Sequence, residues 1–221
     1  MKEMENTMEQ TAQKISEIGI VPVIKLNEPD DSKALARALS EGGIPAAELT
    51  FRAAGAEKAI AAMREAFADM VVGAGTVVNA QQAQRAIEAG ARFVVSPGFD
   101  AEIVELCLRQ NVLPLPGCVT PTEIMQALKW NLHIVKFFPA AQFGGLVTIR
   151  ALAAPFASVK FMPTGGISLE NLAEFAADRR VAACGGSFMV AEKLLDARQW
   201  DEVTRLCAEA VRIVKNARGQ A

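Results

Sequence analysis

The chain has 221 residues, 51% of them hydrophobic and 22% charged, and a formal net charge of −2. That length favours one well-buried core over two, and the near-neutral charge, with no basic run, argues against nucleic acid as a partner. Residues 1–14 are polar with no signal-peptide apolar region, and no stretch is apolar enough to span a bilayer, so a cytoplasmic protein with no membrane partner is expected.

In chain order, a polar amphipathic segment at 5–18 predicts a first helix, followed by short apolar runs that alternate with helical patterns. The runs at 21–25, 46–50, 71–74, 93–96, 113–116, 134–137, 159–162 and 181–184 predict strands. Helices are predicted between them at 31–41, 56–67, 80–89, 100–110, 122–129, 146–153 and 171–177, and a last one at 199–217. Asn79, Asp100 and Ser168 are candidate N-caps. Eight such units predict an α/β fold, a single-domain (β/α)8 TIM barrel with an extra N-terminal helix. The domain spans 1–221, divided into an N-terminal helix (1–19), a barrel core (20–190) and a C-terminal helical segment (191–221).

In such a barrel the C-terminal strand ends meet around one mouth, and the unusual residues fall there. Lys136 lies in the apolar run Ile134-Val135-Lys136-Phe137-Phe138, with no evident carboxylate partner in that run. Desolvation favours a neutral amine, which can attack a carbonyl carbon. Period-two alternation groups Ala46, Glu48 and Thr50 on one face of the second strand and Ile134 with Lys136 on one face of the sixth. Glu48 and Lys136 are therefore expected to point inward together, Glu48 with a raised pKa suited to acid/base work. Arg52 and Thr76 offer a guanidinium and a hydroxyl for a keto acid's carboxylate. Lys25 is a candidate second cation in the mouth.

Two glycine-rich turns are expected after the last two strands, Pro163-Thr164-Gly165-Gly166 and Cys184-Gly185-Gly186-Ser187. Glycine lets the main chain turn sharply and aim N–H groups at an anion, and this is the usual phosphate position in a (β/α)8 barrel. The four cysteines, Cys107, Cys118, Cys184 and Cys207, contain no CxxC pair and read as reduced, apolar filling. A lone histidine, His133, argues against a catalytic metal centre, so neither metal nor cofactor is expected.

The segments Glu48-Leu49-Thr50-Phe51-Arg52, Gly73-Ala74-Gly75-Thr76, Ser96-Pro97-Gly98, Pro116-Gly117, Lys136-Phe137-Phe138-Pro139, Pro163-Thr164-Gly165-Gly166 and Gly185-Gly186-Ser187 stand in an order that resembles the 2-keto-3-deoxy-6-phosphogluconate (KDPG) and 4-hydroxy-2-oxoglutarate (KHG) aldolases. The resemblance implies a metal-free, class I, trimeric aldolase that takes a keto acid sugar phosphate and yields pyruvate and glyceraldehyde 3-phosphate. It implies Lys136 as the Schiff-base nucleophile, Glu48 as the acid/base, and Arg52 and Thr76 as carboxylate contacts. Pro97 would help line the pyruvyl pocket, Gly165, Gly166, Gly186 and Ser187 would surround the phosphate, and Thr164 is a further expected substrate-binding residue. Ala47 departs from the larger aliphatic residue common before the glutamate, and Cys118-Val119-Thr120-Pro121 is a variant segment. Related readings are an aldolase for 4-hydroxy-2-oxoglutarate or the galactonate epimer, another phosphate-binding barrel enzyme, and a non-catalytic sugar-phosphate-binding barrel.

Overall fold

The computed structural model describes residues 8–220. Helix α1 (Met8–Ile18) leads into strand β1 (Ile20–Ile24), then α2 (Ser32–Glu41), β2 (Ala46–Thr50), α3 (Ala56–Ala66), β3 (Val71–Gly75), α4 (Ala80–Glu88) and β4 (Phe93–Val95). The chain continues through α5 (Ala101–Arg109), β5 (Leu113–Leu115), α6 (Pro121–Lys129), β6 (Ile134–Phe137), α7 (Gly145–Ala153), β7 (Lys160–Pro163), α8 (Leu172–Ala177) and β8 (Cys184–Gly186). A short α9 (Glu192–Asp196) and the long α10 (Trp200–Ala217) end it. Residues 5–7 of the expected first helix lie outside the described residues. No helix among those described is long and apolar enough to cross a membrane.

All strand pairings are parallel. Six strands form one sheet in the order β5-β4-β3-β2-β1-β8, and β6 pairs with β7 in a second. Isolated parallel bridges, Gly117 with Lys136 and Thr164 with Gly185, join the pair to both edges of the six-stranded sheet. The result is an α/β, TIM-barrel-like arrangement. Its strands are buried on both faces, as Val21, Val72, Val95 and Phe161 are, which is why they read as apolar runs rather than clean alternation.

The helix starts follow their caps. Asn79 accepts from the Gln82 N–H at 2.8 Å, and Asp100 accepts from Glu102 and Ile103 at 2.9 and 3.0 Å. Ser168 does not cap α8: that helix begins after Asn171, and the Asn171 side chain accepts from the Ser168 N–H instead, at 2.9 Å. At the far end, the Arg218 guanidinium donates to the carbonyls of Ser16 (2.5 Å) and Ala182 (2.9 Å), pinning the end of α10 to α1 and the approach to β8.

The largest departure from expectation is the eighth strand. Sequence places it at 181–184, where Val181 makes only an isolated bridge to Phe161. The ladder with β1 runs instead through Ile20↔Cys184, Val21↔Gly185 and Pro22↔Gly186. Two glycines are poor strand formers, which hid this strand. They fit because neighbouring side chains occupy the space a Cβ would need: at Gly185 it would meet Thr164 Cγ2 at 3.1 Å and Cβ at 3.2 Å.

Candidate active site

Strands β2 and β6 are not neighbours in either sheet, yet Lys136 Nζ stands 3.6 Å from Glu48 Oε1. Their side chains therefore meet across the interior. Register explains the room: Glu48 pairs with Gly73 and Thr50 with Gly75 on β3. A Cβ on Gly75 would lie 2.7 Å from Glu48 Cγ and 2.8 Å from Cδ, and one on Gly73 would strike the Phe93 ring at 2.5 Å. Glycine at 75 thus clears a seat for the carboxyl. Gly75→Ala is expected to force that carboxyl aside, lowering the unfolding free energy by the roughly 1–3 kcal/mol typical of overpacking, with a lower urea midpoint and reduced activity. An unchanged midpoint and rate would show that the seat is not tight.

Glu48 is 0% exposed and Lys136 5%. At 3.6 Å the pair attracts without a good hydrogen bond, and neither Glu48 oxygen has a hydrogen-bond partner among the described residues. Burial pushes the Glu48 pKa up from the ordinary carboxylate value, opposed by the positive charges of Lys136 and Arg52. The partner missing from the lysine's own strand is thus supplied by β2. Phe138, whose ring centroid is 5.1 Å from Nζ, closes another side of the amine.

Arg52 is exposed in the turn after β2, unpaired among the described residues but near enough for its charge to act on Glu48. Thr76 follows β3 directly, is half-buried and has φ 55°. A β-branched residue in the left-handed region is strained, and such strain concentrates at functional sites. It is not a helix cap, since Asn79 fills that role. Pro97 is exposed beyond β4, its main chain packed so closely on Gly117 that a Cβ there would meet it. Lys25 does not act as a free second cation: it pairs with Glu192 of α9 at 2.7 Å. That hydrogen bond, then the charges of Lys25 and Arg52, hold the Glu192 carboxyl below its ordinary range. Sequence reasoning missed Glu192, because five-residue α9 is too short to show a period.

At the end of β7, Gly165 and Gly166 have φ 91° and 80°. The Asn171 amide, another residue missed from sequence, donates to the Gly166 carbonyl at 2.7 Å and clamps the turn. Thr164 is buried and bridged to Gly185. Gly186 lies inside β8 rather than in a turn, and exposed Ser187 is the first residue beyond it. The main-chain N–H groups of Gly166 and Ser187 make no hydrogen bond among the described residues. The ten residues singled out from sequence thus fall in the later part of strands β2, β6 and β8 or just beyond the ends of β2 to β4, β7 and β8.

No group of three or more His, Cys, Asp or Glu residues stands close enough to hold a metal among the described residues. All four cysteines are free and buried, and burial pushes their thiols up to about 12.

A lysine and a desolvated carboxyl facing one another inside a parallel-strand α/β fold supply what a Schiff-base enzyme needs, a nucleophile beside a group that can carry a proton. Residues 11–206 match the KDPG and KHG aldolase family, and the chain belongs to it. It is 47% identical over 200 residues to the 2-dehydro-3-deoxy-phosphogluconate aldolase of Treponema pallidum, covering 90% of this chain and 95% of that one. The enzyme of the same name from Haemophilus influenzae is 42% identical over 212 residues, covering 96% and 100%. Among solved structures, the KDPG aldolase of Legionella pneumophila, with pyruvate captured as a covalent carbinolamine, superposes with a TM-score of 0.87 at 36% identity, covering 91% of this chain and 98% of that one.

Proposed function

We propose that this chain is a class I aldolase that cleaves 2-keto-3-deoxy-6-phosphogluconate to pyruvate and glyceraldehyde 3-phosphate, with Lys136 as the nucleophile and Glu48 as the acid/base. The observation that carries the assignment of roles is the buried Glu48–Lys136 pair at 3.6 Å, a costly arrangement for stability alone. Unprotonated Nζ adds to the C2 ketone, the carbinolamine loses water, and a protonated imine remains. Glu48, through a water, takes the C4 hydroxyl proton as the C3–C4 bond breaks. The bond's electron pair enters the enamine, and the C4 oxygen becomes the aldehyde. Glu48 then returns the proton to C3, and hydrolysis frees pyruvate from Lys136.

Arg52 and Thr76 hold the carboxylate, and Pro97 lines the pyruvyl pocket. Thr164, Gly165, Gly166, Gly186 and Ser187 contact the substrate toward its phosphate, the unpaired N–H groups of Gly166 and Ser187 supporting this. Binding energy at that remote end holds the C4 hydroxyl in line, raising turnover as well as affinity. We read the eight strands as a closed (β/α)8 barrel in one domain with α1 as its extra helix, working as a cytoplasmic homotrimer.

The test has two arms. Pyruvate with borohydride should add a stable mass that peptide mapping places on Lys136; an adduct elsewhere, or none, removes the nucleophile. A lactate dehydrogenase-coupled assay should show faster pyruvate release from the phosphogluconate keto acid than from its C4 epimer or from 4-hydroxy-2-oxoglutarate. The reverse order would reassign the substrate within the family.

A further inference from the structure

Two residues beyond Glu48 on the same face of β2, Thr50 brings into the interior a hydroxyl that the steps above do not use. Thr50 is 1% exposed, and its Oγ1 has no hydrogen-bond partner among the described residues. A buried hydroxyl left unpaired is destabilising, whereas valine would fill the same volume without that cost. The hydroxyl therefore points to a polar occupant of the space it faces.

The register locates that space. Thr50 pairs with Gly75, and the Glu48 carboxyl lies where a Gly75 Cβ would be. The carboxyl thus leans along the strand until it stands beside Thr50 rather than a full residue pair behind it. Adjacent strands are about 4.8 Å apart, a separation that a single water spans. No direct bond closes it: Oγ1 and both Glu48 oxygens are unpaired among the described residues. Three buried polar atoms without partners among the described residues thus lie on one face of β2, the carboxyl of Glu48 3.6 Å from Lys136 Nζ.

We propose that Thr50 is a positioning residue for the acid/base, its hydroxyl and the Glu48 carboxylate holding between them the water that relays the proton. The Thr50 O–H donates to the water oxygen, and the water donates to Glu48. In cleavage the C4 hydroxyl gives its proton to this water as the water gives one of its own to Glu48, while the C3–C4 electron pair enters the enamine. The water ends as it began. On the return the same relay runs in reverse toward C3. The inference rests on the acid/base reading of Glu48, and the experiment separates the two.

Thr50→Val keeps the shape and removes the hydroxyl; Thr50→Ser keeps the hydroxyl. For each full-length variant, and for Glu48→Gln, the measurements are kcat and KM in the pyruvate-release assay, the pH profile of kcat, the borohydride trapping rate with pyruvate, and the thermal midpoint. Thr50→Val should fold with a midpoint at or above wild type, trap pyruvate at near wild-type rate, and lose about 10- to 100-fold in kcat with little change in KM. Its acidic limb should move to higher pH, because the carboxylate loses a water donor that favours its charged form. Thr50→Ser should restore most of kcat. Wild-type kcat and an unmoved limb in Thr50→Val, with Glu48→Gln impaired, would overturn the Thr50 inference alone. A kcat loss matched by slower trapping and a lower midpoint, and not rescued by serine, would make Thr50 merely structural and overturn it too. Glu48→Gln cleaving at wild-type rate would remove the acid/base reading and this inference with it.

Discussion

Lys136→Met should take pyruvate release below about 10⁻⁴ of the wild-type rate and abolish the borohydride adduct. Methionine preserves most of the unbranched stem among Glu48, Phe138 and the strand neighbours, so the loss isolates the amine rather than the packing. Every later step needs the electron sink that the imine provides, and the other candidate cation of the mouth, Lys25, is held by Glu192 at 2.7 Å. Substrate should still bind, because the mouth residues Arg52 and Thr76 and the glycine turn at Gly165 and Gly166 are untouched. The measurement is single-turnover pyruvate release together with intact-mass analysis after borohydride. Residual cleavage above about 1% of wild type, or a trapped mass on another lysine, would place the covalent chemistry elsewhere.

Much of this arrangement was legible because local and long-range signals agree. Strands β2 and β6 have the bounds their apolar runs predict, and alternation alone turned Glu48 and Lys136 to one face. The α/β order predicts which strand ends share a mouth, and Arg52, Thr76 and Pro97 each follow the end of such a strand. What sequence could not supply was contact across the interior. The run around Lys136 contains no carboxylate, and only the fold sets Glu48 3.6 Å away. The partner of Lys25 was out of reach for a related reason: Glu192 lies in a helix of five residues with no period to read. Strand β8 was misplaced because glycine signals a turn locally, while here it makes room for Thr164 between two strands. Asn171 was hidden because its amide acts on a main-chain carbonyl five residues back, a bond that residue type does not announce.

Glu48→Gln should lower kcat by about 10²- to 10⁴-fold while Lys136 still traps pyruvate under borohydride. Glutamine fits the seat over Gly75 but cannot carry the proton from the C4 hydroxyl to C3. The pH dependence gives a second, independent reading. Burial raises the Glu48 pKa, so the wild-type enzyme should lose kcat, as pH falls, at a pH above the ordinary carboxylate range, and the variant's residual rate should lack that limb. The same shift has a stability consequence with a definite sign. A carboxyl whose folded-state pKa exceeds its unfolded value binds its proton more tightly when folded, so its contribution is fully present below the unfolded value and is lost as pH rises through the folded one. The unfolding free energy of wild type relative to Glu48→Gln should therefore decline as pH increases from about 4.3, the unperturbed glutamate value, through the raised pKa, and level off beyond it. Urea titrations of both proteins across that range measure the difference directly. A difference that rises with pH would mean that attraction to Lys136 outweighs burial and that Glu48 stays ionised throughout, leaving it unable to hold the proton between cleavage and return.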